Sequence, residues 1–151
     1  MQIRKILVPV DFSPSSRLAV EHAFLLAERF GATVHLLHAW EVPTYLRPDL
    51  TVWAGDVSAT LADHARSEAD KAMKEFLGDT KASERAGVTH EVRAGSPFAT
   101  ILSAVETGGY DLVAMGTHGR SGIPHLVLGS VAERVVRHAP CPVLTVRDPH
   151  R

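Results

Sequence analysis

Short apolar runs alternate with amphipathic helical stripes along nearly the whole chain, and that alternation leaves few architectures open. Residues 3–10 are apolar almost without a break from Ile6, the pattern of a strand buried on both faces. Ser13-Pro14 follows, an N-cap and a proline at the first helical position. Ala19, Ala23, Leu26 and Phe30 then recur at helical spacing until Gly31 ends the element. Residues 33–40 give a second buried strand. Residues 41–56 read as irregular, because Pro43, Pro48 and Gly55 break any period. Leu61, Ala65, Ala69, Ala72 and Phe76 form a second helical stripe that closes near Gly78.

Residues 88–93 place Val88, His90 and Val92 on one side and Thr89, Glu91 and Arg93 on the other, as suits a half-exposed strand near a sheet edge. Ser96-Pro97 opens a third helix that turns Ile101, Leu102 and Val105 inward and stops at Gly108-Gly109. Residues 111–115 form a fourth strand, 130–138 a fourth helix stopped by Pro140, and 142–146 a fifth strand. Strands alternating with helices imply a parallel sheet covered on both faces. The expected fold is therefore a single doubly wound α/β domain spanning 1–151. Its five parallel strands take the order 3-2-1-4-5, which leaves the alternating third strand on an edge. Strands one and four become neighbours where the strand order reverses, the place where ligands bind in such sheets.

Other classes fit poorly. A net charge of −1 argues against a general nucleic-acid binder. No apolar run is long enough to cross a bilayer. The basic start MQIRK precedes an apolar run closed by Asp11 with no small-residue cleavage site, so it reads as a strand rather than a signal peptide. The single cysteine, Cys141, allows no intrachain disulfide and fits a cytoplasmic setting. It reads as a small buried residue at a strand start. His35 and His38 lie three apart on a strand and point to opposite faces, so they do not form a metal pair.

The run GTHGRSGIPHLVLGS, residues 116–130, has the form G-x2-G-x9-G-S and follows the fourth strand. Glycines at Gly116 and Gly119 can take φ > 0 and bring backbone N–H groups against a phosphate. Gly129-Ser130 starts a helix, whose N-terminus attracts anions. Ser130 also begins S-x-x-E with Glu133, the pattern of a capping box. Arg120 adds a forked cation suited to phosphate oxygens. Neither a G-x4-G-K-[ST] loop nor a G-x-G-x-x-G fingerprint occurs. Asp11, after strand one, would face this loop and accept from ribose hydroxyls. Together these residues outline a nucleotide.

The chain resembles the universal stress protein family in its ATP-binding branch. KILVPVDFSPSS at the start, the G-x2-G-x9-G-S run and the ending HAPCPVLTVR carry the likeness. The resemblance implies that Pro9 and Asp11 contact the adenosine, Asp11 at the ribose, and that the backbone of Ala39 meets the adenine. It implies that Met115, Gly116, His118 and Gly119 lie near ribose and phosphate, and that Gly129, Ser130 and Val131 cradle the phosphates. It further implies a homodimer joined through the last strand, from Pro142 to Val146. That strand has no interior charge or proline to blunt an exposed edge.

The resulting expectation is an ATP-binding switch or sensor in stress response, with Mg2+ accompanying the triphosphate and an unidentified protein partner reading the state. An ATP hydrolase is a rival reading, but no second acid or lysine joins Arg120 and His118 in the motif. A nucleotide-free interaction protein is another. Trp40, Tyr45, Leu46 and Trp53 in or beside 41–56 read either as packing groups or as part of a flap over the nucleotide.

Overall fold

The computed structural model describes residues 2–42, 46–54, 57–117 and 128–148. Five parallel strands form the main sheet: β1 (Lys5–Pro9), β2 (Thr33–Trp40), β5 (Val88–Ala94), β6 (Leu112–Gly116) and β7 (Val143–Val146), in the order β5-β2-β1-β6-β7. In terms of the five sheet strands taken along the chain this is 3-2-1-4-5, the expected order. Strand β5 is an edge, as its alternation requires; His90, on the side with Val88 and Val92, is exposed there. Strand ends differ from the sequence reading by one or two residues: β1 is shorter at both ends, whereas β5 and β6 each run one residue further, to Ala94 and Gly116.

The helices are α1 (Pro14–Phe30), α2 (Leu61–Asp79), α3 (Pro97–Gly108) and α4 (Ser130–His138). The two-residue alternation of β1 sorts its side chains between two cores. Ile6 and Val8 join Val34, Leu36 and Ala114 under α1 and α2, against Ala19, Val20, Ala23, Met73 and Phe76. Leu7 joins Leu37, Val113 and Met115 under α3 and α4, against Ile101, Ala104, Val105 and Val135. The stripe on α1 is wider than the one read in the sequence: Ala19 and Ala23 are buried with Val20 and Phe24, and Leu26 packs at the margin, while Phe30, the last residue of the helix, is 51% exposed.

Capping follows local chemistry. The Ser13 hydroxyl accepts from Ser16 N–H at 3.2 Å, and Pro14 occupies the first turn of α1. Gly31 ends α1 at φ 67, with its N–H on the Ala27 carbonyl. Helix α2 opens with a reciprocal box: Asp63 N–H donates to Thr60 Oγ1 at 3.1 Å, and the Thr60 hydroxyl donates to Asp63 Oδ2 at 2.6 Å. The Thr60 hydroxyl, together with the Thr60 N–H that donates to Asp63 Oδ2 at 3.3 Å, holds the Asp63 carboxyl below its ordinary pKa.

Part of the 41–56 segment departs from the irregular reading. Thr51–Ala54 (β3) pairs antiparallel with Val57–Thr60 (β4), Thr51 opposite Thr60. Backbone bonds from Leu61 N–H to Leu50 O and from Ala62 N–H to Pro48 O, 2.8 and 3.1 Å, fasten the hairpin base to the start of α2. They use donors that a helix N-terminus leaves unpaired. Trp53 is 73% exposed, so it is not a core residue of this chain. Tyr45 lies outside the described residues.

Candidate functional site

Strands β1 and β6 pair only through Ile6 with Leu112 and Leu7 with Val113. Beyond their carboxyl ends the chains turn away into helices on opposite faces, and a cleft of about 210 Å³ opens between them. Pro9, Val10 and Asp11 line it from β1, Leu37, His38 and Ala39 from β2, and Met115, Gly116 and Thr117 from β6. Ser16 of α1, Pro97 and Ile101 of α3, and residues 129–132 at the start of α4 complete the lining.

The turn after β1 carries the acidic group of the cleft. Asp11 Oδ1 accepts from the Ser13 N–H at 3.0 Å and from the Ser13 hydroxyl at 2.5 Å. This Asx-type turn runs through Phe12 at φ 68. A bulky L-residue in the left-handed region costs roughly 1–2 kcal/mol and persists only where surrounding contacts over-determine it. Those contacts are present. The Phe12 ring lies against the imidazole of His38, centroids 4.2 Å apart and planes tilted by 37°, and meets the buried ring of Phe76 at 5.4 Å. His38 Nδ1 in turn lies 2.8 Å from the Val10 carbonyl, to which it donates.

The opposite wall is built at the end of β6. Thr117 N–H continues the ladder onto Val146 O at 2.9 Å, and Gly129 N–H donates to Thr117 O at 2.6 Å. This bond ties the start of α4 to the end of β6. Helix geometry leaves Ser130, Val131 and Ala132 N–H groups without intrahelical acceptors at the cleft wall. The same wall corrects two expectations. Gly129, not Ser130, is the N-cap, at φ −68, and no side-chain cap bond forms. Ser130 already has helical position and lies one residue too late for its hydroxyl to cap, so no capping box with Glu133 exists. Glu133 instead pairs with Arg137 at 2.8 Å.

Gly116 is also not in the left-handed region. It lies in β6, paired with Val146, and a Cβ there would fall 2.8 Å from the Ser15 backbone carbon and 2.9 Å from Ser15 Cβ. Close packing of β6 on the first turn of α1 therefore demands glycine at this position.

Helices α1, α3 and α4 all direct their N-termini toward the carboxyl ends of the strands, as the winding requires. Their partial positive charges, and the first-turn N–H groups of α4 that have no intrahelical acceptor, favour an anion. Among the described lining residues Asp11 is the acidic group, and no lysine or arginine is present. Among the described residues the positive side of the cleft is thus backbone rather than side chain. Among the described residues no group of three or more His, Cys, Asp or Glu could hold a metal. His35 stands on the α3 side of the sheet with Nδ1 2.8 Å from Thr89 Oγ1 and Nε2 3.7 Å from Glu91, away from the cleft. Burial is the main influence on it and lowers its pKa, against the opposing pull of Glu91. Burial likewise raises the Cys141 thiol, the reverse of what a reactive cysteine needs.

Of the residues singled out in the sequence, Pro9, Asp11, Ala39 and Met115 meet in this one cleft with Gly116, Gly129, Ser130 and Val131. His118, Gly119 and Arg120 lie outside the described residues. Sequence reading passed over Ser16, His38, Pro97, Ile101 and Thr117. Ser96-Pro97 was legible as a helix start, and every such start in a doubly wound sheet points at the ligand end. His38 gave no such signal, since its role depends on the fold of the β1–α1 turn.

The family model described as "Universal stress protein family" matches residues 2–147. Universal stress protein MJ0531 of Methanocaldococcus jannaschii is 33% identical over 98% of this chain and 84% of its own length. The solved structure of universal stress protein UspA from Lactobacillus plantarum superposes with a TM-score of 0.78 at 27% identity, covering 97% of this chain and 99% of that one. A universal stress protein solved in complex with cAMP superposes at 0.69 with 24% identity, over 97% and 98% of the two chains.

Proposed function

The chain belongs to the universal stress protein family, and on that premise we propose that its cleft binds ATP and that the protein acts as a nucleotide-dependent switch in stress response. The observation that carries the proposal is one arrangement: the Asp11 carboxylate on one wall and, on the other, the N–H groups at the start of α4 that have no intrahelical acceptor. A carboxylate repels phosphate but accepts from vicinal hydroxyls, whereas a helix N-terminus does the reverse. A ligand with a diol at one end and an anion at the other satisfies both walls. Pro9, Leu37 and Ala39 leave an apolar strip beside Asp11 that suits a base. The related protein that holds cAMP on this fold supports the nucleotide class.

In this reading Asp11 takes the ribose, Ala39 meets the base, and Gly129, Ser130 and Val131 hold the phosphates. Met115 and Gly116 floor the site, and His118, Gly119 and Arg120 complete the phosphate side. Mg2+ travels with the triphosphate, because the described lining offers a single carboxylate and Ser13 already bonds it. The 116–130 segment is the responsive element, since both of its ends line the cleft. The nucleotide shifts the state of that segment only by its differential affinity for the two states. A second copy pairs along β7, which is a sheet edge. The protein works in the cytoplasm, with a protein partner reading the bound state.

Titration calorimetry of MgATP into purified protein tests this, with MgGTP and AMP alongside. Saturable binding near one ATP per chain, weaker for AMP and GTP, is the expected result. Absence of heat, together with no displaceable copurified nucleotide, would overturn it.

A further inference from the structure

We propose that His38 and Phe12 are positioning residues for Asp11, holding the strained turn that presents its carboxylate to ligand hydroxyls. The proposal rests on the nucleotide reading of the cleft and adds to it the residues that set the Asp11 geometry. Phe12 and Lys81 are the non-glycine residues with positive φ among the described residues. Lys81 sits in a surface turn beyond α2, whereas Phe12 lies between the cleft acid and its serine partner. The left-handed φ of Phe12 folds the chain back so that Ser13 N–H and Oγ both reach Asp11 Oδ1. Without that reversal, the carboxylate and the α1 cap could not share Ser13.

The turn does not hold itself. No local glycine or asparagine relieves it. The Phe12 ring is seated between the His38 imidazole, 4.2 Å away, and Phe76, 5.4 Å away. His38 comes from β2 and is fixed by its Nδ1 bond to Val10 O, the carbonyl just before Asp11. One side chain therefore grips both flanks of the acid: the backbone on its N-terminal side through a hydrogen bond, and the residue on its C-terminal side through ring contact. His38 also lines the cleft. It thus bonds the strand-end carbonyl and touches the ring of the turn residue at once.

The experiment measures the ratio of affinities for MgATP and Mg-2′,3′-dideoxy-ATP, which isolates recognition of the ribose hydroxyls. Hydrogen bonds to a charged acceptor are strong enough that wild type should prefer ATP by about ten-fold or more. Asp11→Ala should bring the ratio to about one. His38→Ala and Phe12→Leu should do the same while retaining binding of both nucleotides. His38→Asn, whose amide can reproduce the Nδ1 donor, should recover part of the preference. A merely structural role would weaken both nucleotides alike and leave the ratio near the wild-type value, which would overturn the proposal. Phe12→Gly accepts the positive φ without strain but removes the ring; full preference in this variant would also overturn it, and its use keeps the test decisive if His38→Ala does not fold. Absence of MgATP binding in wild type would refute the nucleotide reading itself. Binding with a ratio lost in Asp11→Ala but kept in His38→Ala and Phe12→Leu would refute only the positioning proposal.

Discussion

Gly116→Ala separates the two jobs a glycine at the end of β6 could have. A methyl group there meets the Ser15 backbone carbon at 2.8 Å and its Cβ and Oγ at 2.9 Å. Carbon atoms rest at about 3.5–4.0 Å, so the overlap is roughly 0.7 Å or more. Relief requires moving the first turn of α1, where Ser13, Ser15 and Ser16 are buried. The same turn is bonded to Asp11 through Ser13, so a shift there also strains the acid. This places the cost in the upper part of the overpacking range, about 2–3 kcal/mol. For a domain of this length each kcal/mol lowers Tm by about 2–4 °C, giving a drop of about 4–12 °C. The assay is thermal unfolding followed by circular dichroism, with no nucleotide present. An unchanged Tm in Gly116→Ala, with nucleotide binding alone impaired, would refute the packing argument and return Gly116 to the role of a phosphate-approach glycine.

Other substitutions follow from the same geometry. Phe76→Ala empties a fully buried site beneath Phe12 and should cost about 3–5 kcal/mol in urea unfolding. Thr60→Ala breaks the capping box at α2 and should cost about 1 kcal/mol, whereas Ser130→Ala, which removes no cap bond, should stay within about 0.5 kcal/mol. The lowered pKa of His35 means the unfolded chain binds more protons than the folded one just below the ordinary histidine pKa of 6.5. Stability should therefore fall as pH drops from about 6.5 through the folded-state value, and His35→Gln should flatten that slope in a pH series of urea midpoints. Thr145→Lys on the β7 edge, a position in neither apolar cluster, should convert a dimer to monomer in sedimentation velocity; a dimer that persists would rule out pairing along that edge.

The main sheet was legible because the buried strands are short and mostly apolar, and the starts of α1, α3 and α4 carry Ser-Pro or a glycine boundary. Val88–Ala94 was placed on an edge by its alternation alone. The β3–β4 hairpin was missed although its signal is present: Gly55-Asp56 separates two short β-branched runs, T-V-W-A and V-S-A-T. Pro43 and Pro48 drew the whole segment into one irregular reading. Phe30 was placed inside because periodicity cannot say where a helix leaves the sheet it covers. At the site, residues at strand ends were legible from topology. The reasons behind two of them were not: Gly116 is small for the sake of Ser15, more than a hundred positions earlier, and Ser130 follows the cap rather than forming it. Both depend on three-dimensional register that spacing does not encode. His38 and Phe12 stayed hidden for the same reason.

Amide chemical-shift mapping during an MgATP titration tests the central claim most directly, because it reports where on the chain the nucleotide sits. The account predicts the largest saturable shifts at Ala39, Asp11 and the 129–132 amides, reduced throughout in Asp11→Ala. Shifts confined to another surface, such as the groove near Glu28 and Arg85 between α1 and β5, or no saturable shifts, would contradict it.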